Sequence, residues 1–268
     1  MLFDSHCHLT DRQFAADLAA VLARATAQGV TRAVTIGSDA DDGAAAHALA
    51  GAHAGLWHTA GIHPHGAAEA RRDDLDRIAD LLEQPGVVAV GETGLDYHYD
   101  NAPRSVQRRL FAHHMQLAAD LGLPVVVHSR EADPDIMSMI RSVEGEVLGV
   151  LHCFAGGPDL LEAGIEAGWM VSFSGLITFK NYEGRELLRA VPREQLLIET
   201  DSPYLAPVPN RGKRNEPGFI RDVCQAAAHI CGIEFNELAA LTTANALRFY
   251  GLGTNAPELN LATAEPSA

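Results

Sequence analysis

Short apolar runs rich in β-branched residues alternate along this chain with longer segments whose apolar positions recur every three to four residues. The runs fall at residues 2–6, 32–36, 56–60, 87–91, 125–128, 148–152, 170–173 and 196–199. Each is short enough to read as a strand rather than a helix. Several, such as Val87-Val88-Ala89-Val90 and Val125-Val126-Val127, are apolar without alternation. Parallel strands covered on both faces read this way. Between the runs, Phe14, Leu18, Val21, Leu22 and Ala25 keep helical spacing, as do Leu75, Ile78, Leu81 and Leu82, and then Leu110, His114, Leu117 and Leu121. Gly29, Gly86 and Gly122 stand between a helical pattern and the next strand, the place of a helix C-cap. Eight strands alternating with helices predict an α/β fold, a (β/α)8 TIM barrel. An open doubly wound sheet would need a glycine-rich phosphate loop after its first strand, and Asp4-Ser5-His6-Cys7-His8 is not one.

Beyond the eighth run comes a loop rich in Pro and Arg at 202–216, then helical patterns near 219–230 and 234–250 that stop at Gly251. One barrel domain is expected over 1–252. Residues 253–268 have little to bury and are expected to form a disordered tail. The length of 268 residues suits this, since a single barrel takes about 250.

Composition narrows the function classes. With 20 Lys+Arg against 35 Asp+Glu the formal net charge is −15. This argues against a protein that grips nucleic acid through a broad basic surface. It does not rule out a local phosphate site, because a bound metal inverts the field around it. Four cysteines with no C-x-x-C pair make no disulfide scaffold. Cys224 and Cys231, seven apart, read as small apolar residues on one helix face. No apolar run approaches the ~18 residues of a membrane span, and the N-terminus has no signal core. A cytoplasmic monomer with no membrane partner is expected.

The chemistry collects where the apolar runs end. Run one ends in His6-Cys7-His8, run three in Gly61-Ile62-His63-Pro64-His65, and run four in Gly91-Glu92-Thr93-Gly94. Run five ends in His128, run six in His152, and run eight in Glu199-Thr200-Asp201. In a barrel these ends share one face, where active sites sit. His6 and His8 are two apart, which places both rings on one side of an extended strand. His6, His8, Glu92, His128, His152 and Asp201 are too many donors for one tetrahedral ion and suit two ions bridged by a carboxylate. His63 and Arg130 lie at the expected mouth and suit anion contact. Lys180 follows a glycine-containing loop after run seven. Arg211-Gly212-Lys213-Arg214 is the one dense basic cluster, and it follows run eight directly. Arg211 and Arg214 are therefore expected to hold a phosphate. His47, His53, His58, His98, His113, His114 and His229 read as structural or surface residues.

Assembled in order, the motifs resemble those of the TatD family of metal-dependent hydrolases, within the amidohydrolase-like barrels. The resemblance covers roughly 1–250 and includes Phe3-Asp4-Ser5-His6-Cys7-His8-Leu9, Gly61-Ile62-His63-Pro64-His65, Gly91-Glu92-Thr93-Gly94-Leu95-Asp96-Tyr97, Val127-His128-Ser129-Arg130, His152-Cys153-Phe154-Ala155-Gly156, the Glu199-Thr200-Asp201-Ser202-Pro203 segment and Arg211-Gly212-Lys213-Arg214-Asn215-Glu216-Pro217. It implies two divalent ions (Mg²⁺, Mn²⁺ or Zn²⁺). His6, His8 and Asp201 would hold one, His128 and His152 the other, and Glu92 would bridge them. It also implies a 3′→5′ exonuclease that hydrolyses phosphodiester bonds at DNA ends with a metal-activated water. Asp201, Glu92 and His63 would then be catalytic, and His63, Arg130, Lys180, Arg211 and Arg214 would face the substrate. Some relatives resemble deacylases that free D-amino acids from tRNA, so RNA, charged tRNA or another ester or amide are alternative substrates. A non-enzymatic metal-binding protein is a further alternative, against which the intact ligand set argues.

Overall fold

The computed structural model describes residues 1–259. Eight parallel strands follow one another in the order of the sequence: β1 (Leu2–Cys7), β2 (Val30–Thr35), β3 (Leu56–Ala60), β4 (Val87–Asp96), β5 (Val125–Arg130), β6 (Gly149–Leu151), β7 (Met170–Phe173) and β8 (Leu196–Ile198). The ring is completed between its ends by a parallel bridge of Cys7 with Ser202. Backbone bonds from Asp201 N–H to the His6 carbonyl (3.0 Å) and from His8 N–H to the Ser202 carbonyl (2.7 Å) reinforce it. The result is the expected TIM barrel.

Helices link and cover the strands: α1 (Leu18–Ala27), α2 (Ala40–Ala52), α3 (Arg72–Leu82), α4 (Arg104–Leu121), α5 (Asp133–Ser142), α6 (Pro158–Glu166) and α7 (Arg185–Ala190). Two more, α8 (Ile220–Cys231) and α9 (Phe235–Phe249), follow β8. Their limits follow from local chemistry. The Asp39 carboxylate accepts the Asp41 and Asp42 N–H groups and starts α2. Gly122, at φ +64°, ends α4 in the left-handed region. Cys224 and Cys231 do share α8, the first buried and the second half-buried.

Two apolar cores result. One lies between strands and helices and includes Leu22, Ile78, Phe111, Ile136 and Trp169. The other fills the barrel and includes Phe3, Trp57, Val126, Val150, Met170 and Leu197. Phe3 stacks between Trp57 and Tyr250, with centroids 6.0 and 6.2 Å away, so the end of α9 packs on this inner core. Two residues further along the same strands stand Ser5, His128, His152, Ser172 and Glu199. Strand periodicity thus puts a polar layer directly above the apolar one.

Two expectations shift. β4 runs to Asp96, five residues past its expected end, because Thr93, Gly94, Leu95 and Asp96 pair with Val127, His128, Ser129 and Arg130. The approach is so close there that a Cβ on Gly94 would lie 2.1 Å from the His128 carbonyl oxygen, at φ +132°. The start of the expected tail is also ordered. Arg32 donates to the Ala256 carbonyl at 2.8 Å, and the buried Leu259 donates its N–H to Thr31 at 2.6 Å. The apolar Leu259 and the arginine on β2 hold this segment against the barrel. The rest of the expected tail, 260–268, lies outside the described residues. Among the described residues no helix is long and apolar enough to cross a membrane.

Candidate metal centre

Glu92, on the extended part of β4, is the hub of the polar layer. Its Oε1 lies 2.8 Å from His152 Nε2, 3.0 Å from His128 Nδ1 and 3.4 Å from His63 Nε2. Its Oε2 lies 3.5 Å from His6 Nε2 and 3.7 Å from His8 Nε2. Asp201 Oδ1 approaches the same two rings, at 3.6 and 3.4 Å. The register irregularity of β1 between Asp4 and Cys7 turns His6 inward, where it stacks on His152 at a centroid distance of 4.0 Å. Asp201 sits at φ +56° and is fixed by its bond to the His6 carbonyl. The six expected donors are therefore brought together.

The residues fit a cationic group. Two ligand atoms each about 2.05 Å from one ion at the tetrahedral angle lie about 3.3 Å apart. The His6, His8, Glu92 and Asp201 atoms are spaced close to that, and the two histidine nitrogens face each other at 3.2 Å. Three sets of donor atoms are close enough to share an ion: His6, His8 and Glu92; His6, His152 and Asp201; and His63, Glu92 and His128. His63, expected to be catalytic and to face the substrate, thus stands among the possible ligands as well.

Two carboxylates behind the donors decide which ring nitrogens are available. Asp96 Oδ2 accepts from His128 Nε2 at 3.1 Å and from His65 Nε2 at 2.9 Å. Glu199 Oε1 accepts from His152 Nδ1 at 3.2 Å and from the Cys153 N–H at 2.7 Å. A carboxylate can only accept, so each ring donates one N–H outward, and the nitrogen beside Glu92 is the one a cation would claim on displacing its proton. Asp96 and Glu199 were not among the expected site residues. A signal for each exists in the sequence. Asp96 is four residues after Glu92 and so on the same face of an extended strand. Glu199 is an acid at the end of an apolar run.

The charges are mutually balanced. Burial pushes the Glu92 carboxyl up, but His152, His63 and His128 overcome it and hold it well below the usual range. Burial pushes the His152 imidazole down, but Glu92 and Glu199 raise it well above its ordinary value. Burial lowers His63 to about 4. Asp96 is pushed up by burial and held low by His128, the Tyr99 N–H and His65.

A cleft of about 1300 Å³ opens over this centre, and Arg130, Lys180 and Arg211 line it with His63. Arg214 does not, contrary to expectation. Its guanidinium holds both oxygens of Asp17 at 2.8 Å and the Gln13 carbonyl at 2.6 Å, and lies over the Phe14 ring. A carboxylate on the neighbouring helix entry outcompetes the solvent-facing orientation. The remaining histidines are not all unpartnered. His47 Nδ1 lies 3.1 Å from His58 Nε2, His98 pairs with Glu131, and His114 accepts the Ile62 N–H.

Comparison with known proteins adds a relationship. The family model described as TatD related DNase matches residues 3–251. The "Uncharacterized metal-dependent hydrolase YabD" of Bacillus subtilis is 36% identical over 93% of this chain and 99% of its own. The "3'-5' ssDNA/RNA exonuclease TatD" of Shigella flexneri is 36% identical over 94% of this chain and 99% of its own. The crystal structure of YJJV, a TatD homolog from Escherichia coli, matches with a TM-score of 0.89 and 26% identity, over 94% of this chain and 98% of that one.

Proposed function

The chain belongs to the family of TatD-related DNases, metal-dependent hydrolases acting on ester bonds, and from that premise we propose that it removes nucleotides from the free 3′ ends of single-stranded DNA or RNA. The observation that carries this reading is the double-sided environment of Glu92. Its two carboxylate oxygens face different sets of imidazoles, His152, His128 and His63 on one side and His6 and His8 on the other. That arrangement suits a carboxylate shared by two divalent cations.

In this reading His6, His8 and Asp201 would hold one cation, His128 and His152 would hold the other, and Glu92 would serve both. Such cations supply Lewis acidity to water and to the scissile phosphate. Attack of water on phosphorus would form one P–O bond and break the bond to the 3′ oxygen of the remaining strand, freeing a 5′-nucleotide. Asp201, which lines the cleft, would take the water's proton and return it to that departing oxygen. His63, Arg130, Lys180 and Arg211 place positive or donor groups where charge develops on the phosphate oxygens. Mixed imidazole and carboxylate donors suit Zn²⁺, and the oxygen donors admit Mn²⁺ or Mg²⁺. The net charge of −15 favours binding of a strand end at this centre over a broad grip on a duplex.

The test is hydrolysis of 3′-labelled single-stranded DNA and RNA across a metal panel, by the parent and by Glu92→Ala. Metal-dependent loss of 3′ nucleotides that falls at least about a hundredfold in the variant is expected. Equal degradation by both proteins overturns the reading. So does a parent that spares both nucleic acids while releasing D-amino acids from charged tRNA.

A further inference from the structure

The cleft carries two flat cationic plates, and neither belongs to the carboxylate–histidine centre. At the ends of β4 and β5, the Arg130 guanidinium lies over the Tyr99 ring, 4.8 Å from its centroid. Around the rim, where the chain leaves β7 and β8, the Arg211 guanidinium lies over Phe179 at 3.7 Å. All four residues line the cleft. Tyr99 is 55% exposed, among the most exposed large side chains of the structure.

Two features need an explanation. Some arginines, such as Arg24, Arg108 and Arg214, are held by carboxylates. Others hold none among the described residues, and Arg221 also rests on a ring, Phe235, but Arg130 and Arg211 do so inside the cleft. In a chain with 35 acids, Arg130 and Arg211 hold none among the described residues. Each instead rests on an aromatic ring, which leaves its charge uncancelled by any carboxylate. Tyr99 also leaves part of its ring open to the cleft. A nucleobase answers both. It offers a π face to the ring or the guanidinium, and the phosphate beside it meets the free positive charge.

We propose that Tyr99 with Arg130, and Phe179 with Arg211, are two base-stacking subsites that receive unpaired nucleotides on either side of the metal centre. This rests on the nucleic-acid reading above and deepens it. Stacking on two separated plates requires bases that are not stacked on each other. The pair of plates therefore selects a single strand, or a frayed end, over a closed duplex. Tyr99 is also tied to the centre. Asp96 accepts the Tyr99 N–H on Oδ1 while holding His128 on Oδ2, and the His65 ring meets Tyr99 edge-on at 5.4 Å. A base seated on Tyr99 thus bears on the same carboxylate that orients His128.

The test uses the full chain with two readouts. Binding of a fluorescent single-stranded oligonucleotide to chelator-treated protein is followed by anisotropy. Hydrolysis by the metal-loaded protein is followed separately. Each is run with an oligonucleotide carrying all its bases and with one that is abasic at its last two 3′ positions. The parent is expected to bind the base-bearing strand about tenfold or more tightly than the abasic one. Tyr99→Ala and Arg211→Ala should each narrow that ratio, and Tyr99→Phe should keep it. A parent that binds the two strands equally, or a Tyr99→Ala variant that retains the full ratio, overturns the subsites even if hydrolysis proceeds. Absence of hydrolysis with an intact base-dependent ratio instead removes the nuclease reading and leaves the subsites standing.

Discussion

Oδ2 of Asp96 lies 3.1 Å from Nε2 of His128, while Nδ1 of the same ring faces Oε1 of Glu92 at 3.0 Å. The histidine is held between two carboxylates, and the rear one fixes which nitrogen faces Glu92 and would be offered to a cation. Asp96→Asn removes the charge that sets this orientation and frees the ring to turn. Metal affinity is expected to fall about 10- to 100-fold with the fold intact, as for other partners behind metal-bound histidines. A competition titration with a chelating dye, with circular dichroism as the control, reads both. Unchanged affinity would show that Glu92 alone orients His128.

Metal removal should cost stability as well as activity. Glu92, His6 and His152 are buried and face one another across the strand ends. A cation bound at 100 times its dissociation constant adds about 2.7 kcal/mol to the folded state. For a chain of this size each kcal/mol moves Tm by roughly 2–4 °C. Chelation is expected to lower Tm by several degrees, reversibly, and Glu92→Ala should abolish much of that response. A differential scanning trace with and without chelator decides it.

Arg211 and Arg214 stand three apart in one loop and should behave oppositely. Arg211 lines the cleft over Phe179, whereas Arg214 is locked to Asp17. Arg211→Ala is expected to raise KM for an oligonucleotide while leaving Tm near the parent's. Arg214→Ala should lower Tm and change KM less. Steady-state kinetics beside thermal melts on the two variants separate the roles, and a KM effect confined to Arg214→Ala would reverse them.

Acid should destabilise the barrel through histidines outside the centre. His58, beside His47, and His114, beside His113, are fully buried, and burial holds each at about 4. Their unfolded value is near 6.5, so the unfolded chain binds more protons between these limits. Stability is therefore complete above about pH 6.5 and falls as pH drops toward 4, by on the order of 3 kcal/mol per histidine. Urea unfolding at pH 7 and pH 4.5, compared between the parent and His114→Gln, isolates one share. Equal pH dependence in the two proteins would rule out His114 as a source.

Much of this molecule is written locally in its sequence. Apolar runs such as 125–128 and 170–173 fall where β5 and β7 lie, because a strand's covering on both faces leaves a continuous apolar signature. His6, Glu92, His128, His152 and Asp201 could be placed together because parallel strands in sequential order bring their C-terminal ends to one rim. The strand-end donors were legible in that sense, whereas the carboxylates behind them were passed over. Asp96 lies beyond the expected end of its strand, and the pairing that extends β4 depends on residues of β5 such as Arg130, far along the chain.

What the sequence by itself determined is the alternation of strand and helix, the sense of the barrel and the roster of donors at its mouth. Only the tertiary structure decided that Glu92 turns one oxygen to His152 and the other to His6, that Asp96 and Glu199 choose the ring nitrogens, and that Arg211 faces the cleft while Arg214 turns to Asp17. It also decided that residues up to Leu259 fasten to β2. The reason is physical. Periodicity is a property of neighbours along the chain, whereas the direction of a side chain at a strand end is set by partners that barrel closure brings from far away in sequence.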